Sequence, residues 1–162
     1  MKRFFFLSLT VLALTATSSC SKDEEPSPAP LVVQSNSMTG KLDGGLLSIA
    51  NYSYVNPSNP ATPEEMTLLF YTKADLTEYI EIHIPISTVP GTYPLTDTGL
   101  EYVKYLDATG WYISTSGTLQ IGTHDKTNKV ITGNFQASMI PAPGSSATST
   151  HDFTNVQFVL NY

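Results

Sequence analysis

From Leu31 onward apolar and polar residues alternate with a period of two, and no segment repeats its apolar positions at helical spacing. The clearest run is Tyr79-Ile80-Glu81-Ile82-His83-Ile84-Pro85-Ile86. Its four isoleucines share one face, which must be buried, while Tyr79, Glu81 and His83 share the other. Pro85 has no amide hydrogen for a ladder, so this strand lies at an edge or ends there. The same reading predicts strands over Leu46–Tyr54, Met66–Lys73, Glu101–Leu106, Trp111–Ile121, Lys129–Met139 and Phe153–Tyr162, with shorter pieces at Leu31–Gln34 and Gly91–Leu95. Between them lie breaker-rich spacers: Asn56–Pro63, Pro90-Gly91, Asp97-Thr98-Gly99, Thr109-Gly110 and the Pro141–Ala147 loop. One helical turn is admissible, at Pro63–Met66, where proline precedes two glutamates.

One hairpin can be set in register. Trp111, Ile113, Leu119 and Ile121 share one face of their strand, and Ile131, Phe135, Ala137 and Met139 share a face of the next. Pairing Ile121 with Ile131 sets Leu119 opposite Gly133 and Gly117 opposite Phe135, with both apolar sets on one side. The connection Asp125–Asn128 is then a turn in which Asn128 takes the left-handed conformation. Sequential strands with short links make an all-β, antiparallel meander that closes as a β-sandwich or an open barrel. Unequal strand lengths and long loops favour the sandwich.

The first thirty residues follow a different pattern. Met1-Lys2-Arg3 is positively charged, and Phe4–Ala16 is an apolar run. Such a run is too short to cross about 30 Å of hydrocarbon and suits an export signal. Thr17-Ser18-Ser19 precede Cys20, the single cysteine of the chain. This resembles a lipobox, with Cys20 acylated and the chain cut before it; Thr17 stands where leucine is usual. The expected organisation is a signal peptide over 1–19, a lipidated Cys20 with an acidic, proline-rich tether over 20–30, and one β-domain over 31–162. Lys22-Asp23-Glu24 resembles the acidic surface-export signal of Bacteroidota lipoproteins. It implies an outer-membrane lipoprotein facing the cell exterior, with the periplasmic side as the alternative.

Charge narrows the partners. Two of the eight basic residues fall in the signal and all fourteen acids follow it, so the processed chain carries a net −8. That excludes a nucleic-acid function, which needs a Lys/Arg surface against phosphate. It also makes the lipid anchor, rather than electrostatic docking, the expected link to membrane. A lone cysteine allows no intramolecular disulfide.

The motifs Pro90-Gly91-Thr92-Tyr93-Pro94-Leu95, Tyr102, Ser116-Gly117-Thr118-Leu119-Gln120-Ile121, Asp125 and Val130-Ile131-Thr132-Gly133-Asn134-Phe135 resemble a family of small Bacteroidota exported lipoproteins of unknown function. The resemblance spans most of Met38–Tyr162. It implies an exported β-domain without an assigned activity, and it carries no catalytic residues.

Candidate chemistry is sparse. His83, His124 and His151 lack zinc-motif spacing and a cysteine partner, so no metal site is expected. Asp125–Asn128 lacks the glycine and distal glutamate of a calcium loop. Glu78 and Glu81 fall on opposite strand faces, Glu64-Glu65 in a loop and Glu24-Glu25 in the tether, so no carboxylate pair is tied to a pocket. Gly-x-Ser-x-Gly and glycine-rich phosphate loops do not occur. The expectation is a protein that is not an enzyme and needs no cofactor. Tyr102, Tyr105, Trp111 and Tyr112 cluster within eleven positions. Tyr102 or Tyr105, with Tyr112, are candidate stacking residues for a glycan or an envelope protein, flanked by the Pro141–Thr150 loop. The competing reading of these rings is cross-strand packing, which leaves a structural or protective envelope protein without a small ligand.

Overall fold

The computed structural model describes residues 36–49, 53–56 and 64–162. Ten strands and no helix are present among them: β1 Ser37–Leu42, β2 Gly45–Ser48, β3 Ser53–Asn56, β4 Glu65–Tyr71, β5 Tyr79–Pro85, β6 Gly91–Pro94, β7 Tyr102–Asp107, β8 Gly110–Asp125, β9 Val130–Pro141 and β10 His151–Asn161. All pair antiparallel in one sheet of order β2-β1-β10-β9-β8-β7-β5-β4-β3, with β6 paired to the far half of β8. The expected signal and tether, Cys20, and the strand expected at Leu31–Gln34 lie outside the described residues.

The sheet curls into a half-barrel. Phe70 on β4 and Phe158 on β10 are separated by four intervening strands in the sheet, yet their rings meet at 5.7 Å. Asn36, which accepts from the Asn161 backbone N–H at 2.7 Å, also reaches the carbonyl of Ser53 at 3.4 Å. Inside the curl lie Met38, Leu68, Phe70, Ile80, Ile82, Ile84, Val103, Leu119, Ile121, Phe135 and Phe153, all under 3% exposed. Of the four isoleucines read on one face, Ile80, Ile82 and Ile84 are buried; β5 ends at Pro85, and Ile86 beyond it is exposed. Glu65 and Met66 begin β4 instead of forming a helical turn. β1, unread in the sequence, is a polar strand whose one fully buried side chain is Met38.

The β8–β9 hairpin is antiparallel, but its register is two residues from the expected one. Ile121 stands opposite Gly133 and not Ile131; Leu119 faces Phe135 and Gly117 faces Ala137. A shift of two leaves every side chain on its expected side of β9, so hydrophobic pattern alone does not resist it. The hairpin tip decides. The ladder runs out to Asp125 opposite Val130, and β8 carries an extra residue at Gly122 between Ile121 and Thr123. The Asp125 carboxylate accepts from the backbone N–H groups of Thr127 and Asn128 and from the Asn128 side chain. With Asn128 so engaged, the left-handed position falls to Lys129, φ 55°.

A second bulge has larger consequences. Between Ser114 and Ser116, β8 gains one residue, Thr115, over β9. A bulge reverses the alternation beyond it. Leu119 and Ile121 point into the barrel as expected, but before the bulge it is Tyr112 and Ser114 that point in, at 0% exposure. Trp111 and Ile113 therefore belong to the outer face, contrary to the single face read for all four apolar residues.

Candidate functional site

The outer face of β4, β5, β7 and β8 is an ordered grid. Pairing aligns Thr67, His83 and Tyr102 in one row, Leu69, Glu81, Lys104 and Ile113 in the next, and Tyr71, Tyr79, Leu106 and Trp111 in the third. At the third row the Tyr79 ring meets Trp111 edge-on at 5.4 Å, and Tyr71 meets Tyr79 at 5.3 Å. Such geometry stabilises a pair beyond its area burial.

The 142–146 segment is tied down beside Trp111. Ala142 N–H donates to the Trp111 carbonyl at 2.9 Å, Trp111 N–H to Ser145 Oγ at 2.9 Å, and Ser146 Oγ to the Thr109 carbonyl at 2.8 Å. Ser145 N–H closes a turn on Ala142 O, with Gly144 at φ 81°. Gly110 permits this approach: its φ is 144°, and a Cβ there would stand 2.4 Å from Ser145 Oγ. Between the loop and the sheet runs a groove of about 350 Å³ lined by Lys104, Trp111, Ile113, Ala142, Pro143, Gly144 and Ser145. Its size is at the lower end for small-molecule sites, and its lining is mostly apolar with a few polar groups.

At the first row, His83 is 5% exposed although it faces outward. Tyr102 stacks on its ring at 4.3 Å with an 11° tilt. Its Nδ1 contacts Glu65 Oε1 and its Nε2 lies 2.9 Å from Glu81 Oε2. The Tyr102 hydroxyl donates to Glu65 Oε1 at 3.3 Å. Burial first, then the Glu65 charge, push its pKa well above the usual phenol value.

Two of the three tyrosines expected to offer a stacking surface do not. Tyr105 is 3% exposed and Tyr112 0%. They pack inside one end of the half-barrel, against His151 at 5.3 Å and 4.4 Å and, for Tyr105, against Phe153. The Tyr112 hydroxyl is held by Thr109 Oγ1 at 2.6 Å and Ser149 Oγ at 2.9 Å. Burial, then the Glu78 charge, raise the Tyr105 pKa far above the phenol range. His151 Nδ1 lies 2.6 Å from Asp43 Oδ2; its Nε2, 3.4 Å from Asp107 Oδ2, is buried without a hydrogen bond. Tyr102 does face outward, but the outward ring on β8 is Trp111, because of the bulge at Thr115. The loop flanking it is the one expected.

The remaining candidates take structural places. His124 lies 2.7 Å from the Thr88 carbonyl and 3.1 Å from the Tyr162 hydroxyl. Among the described residues no group of three His, Cys, Asp or Glu side chains is arranged to hold a metal ion. Cys20 lies outside them. Set against known proteins, the chain matches no family model, no curated sequence and no solved structure.

Proposed function

We propose that the protein is a lipid-anchored cell-envelope module that binds a glycan in the groove beside Trp111. One observation carries this reading. The only tryptophan of the chain faces outward along a groove walled by a hydrogen-bonded loop. Indole in this setting offers a flat apolar face with a polar rim, the chemistry that stacks on a sugar ring. The signal, Cys20 and the acidic tether support exposure at the cell surface on a lipid anchor.

Because Trp111 is the only indole, its emission reports on the groove without interference. Detergent-solubilised lipidated protein titrated with a panel of neutral and acidic oligosaccharides should show saturable quenching or a spectral shift for at least one of them, lost in Trp111→Phe by calorimetry. No response across the panel favours a structural envelope role without a small ligand. Cys20→Ala should move the protein from membrane to soluble fractions; retention in the membrane fraction would place the anchor elsewhere.

A further inference from the structure

We infer that the groove takes an acidic saccharide, its carboxylate or sulfate paired with Lys104. The inference rests on the glycan reading above and specifies its ligand. Lys104 is the one charged residue in the lining of this groove. In the ladder it stands directly opposite Glu81, a placement in which opposite charges ordinarily pair across a sheet.

That pair is not made. Glu81 turns its carboxylate to His83 Nε2 at 2.9 Å, and the imidazole is held by the Tyr102 ring on its face and Glu65 on its other nitrogen. The Lys104 ammonium instead lies over the Tyr102 ring, 5.3 Å from its centre. Among the described residues no carboxylate comes within 4.0 Å of it. So His83 acts as a positioning residue: by occupying Glu81 it leaves a cation at the groove without a carboxylate.

The rest of the lining is uncharged, with Trp111, Ile113 and Pro143 apolar and Ser145 polar. A ligand matching it presents a ring face to the indole and a single negative charge toward Lys104. A uronic acid or sulfated sugar has both. The background sharpens the match, since a processed chain of net charge −8 repels anions in general, and attraction must be local.

A matched probe pair tests this: an oligogalacturonate and its methyl ester, the same sugar with and without charge. Trp111 emission and calorimetry are read on the lipidated protein in detergent. A charge-assisted contact at Lys104 is expected to favour the acid by about tenfold, and the preference should shrink as salt rises. Lys104→Met should abolish the preference, bringing acid and ester to equal affinity. His83→Gln, which releases Glu81 to pair with Lys104, should weaken the acid and spare the ester. Equal affinity for acid and ester, or a preference that survives Lys104→Met, overturns the inference and leaves the glycan reading standing. Retained acid binding in Trp111→Ala also overturns it, by placing the anion elsewhere. Silence toward both probes and toward every neutral glycan of the panel overturns both.

Discussion

Gly133→Ala separates local propensity from tertiary contact, because the two predict opposite signs. Gly133 lies in β9 between Ile121 on β8 and Phe158 on β10. Its φ is not in the left-handed region, so alanine suits the backbone, and in a strand interior it should gain about 0.5–1 kcal/mol over glycine. The surroundings oppose this. A Cβ at 133 would stand 2.4 Å from the Gln120 carbonyl oxygen and 2.6 Å from Phe158 Cζ. The first contact is main chain and yields only if the β8–β9 ladder opens. The second is a ring 2% exposed and packed on Phe70 at 5.7 Å, with little room to swing. Overpacking of this kind costs about 1–3 kcal/mol, so the net expectation is a loss of about 1–2 kcal/mol. Urea unfolding followed by far-UV circular dichroism measures it as a lower midpoint at unchanged slope. Phe158→Leu supplies the partner for a double-mutant cycle: with the ring gone, Gly133→Ala should cost less by about 0.5–1 kcal/mol. A variant stabilised by propensity alone, or a strictly additive cycle, would refute the close approach of β8, β9 and β10 at this residue.

Three further outcomes follow from the same coordinates. Phe135 is 2% exposed and packs on Phe153 at 5.7 Å, so Phe135→Ala should cost about 3–5 kcal/mol in urea unfolding; a loss under 1 kcal/mol would contradict its place in the core. Leu76 holds a left-handed φ of 61° at 46% exposure in the β4–β5 turn. Glycine there should raise the melting temperature, since strain of about 1–2 kcal/mol is removed and little packing is lost; an unchanged or lower value argues against strain. Burial disfavours the Asp107 charge, but Thr109, Gly110 N–H and His151 together outweigh it and hold the carboxyl below its usual range. A depressed carboxyl pKa contributes stability that is present above roughly pH 4 and lost as pH falls through the folded value, so Asp107→Asn should flatten the acid limb of a stability–pH profile, and an unaltered limb would remove Asp107 as its cause.

The strands legible in the sequence are those with apolar alternation strong enough to need burial. The isoleucine run of β5 and the Ile131–Met139 face of β9 needed nothing beyond period two. β1 escaped because Ser37–Leu42 fully buries one methionine and, apart from a partly buried Leu42 at its end, is polar, so it is held by its neighbours β2 and β10 more than by its own pattern. Register was legible only as a parity. A shift of two conserves parity, and choosing among such registers required the hairpin tip, where Asp125 claims Asn128 and passes the left-handed position to Lys129. In β10 a left-handed Asn155 inserts a residue against both β1 and β9, and bulges of this kind bend the sheet toward a curl.

The candidate site turns on one such inserted residue. Trp111, Tyr112 and Ile113 are consecutive and all large, so alternation cannot say which of them faces the core; a strand must expose one set or the other. Extending the parity of Leu119 and Ile121 backward selects Trp111 and Ile113 as the buried set, and that is the inference the bulge at Thr115 reverses. The signal for it lies in the intervening Ser114-Thr115-Ser116-Gly117, a polar stretch in mid-strand ending at a glycine whose φ is 139°, where any Cβ would collide with the Gln136 carbonyl at 2.1 Å. Glycine inside a strand pattern marks a bulge or a close backbone approach, and parity should not be carried across it. Applied here, that rule frees the two halves of β8 to be read separately. The half beside Pro141–Ala147 can then place its tryptophan outward, against a loop that the turn chemistry had already put beside it.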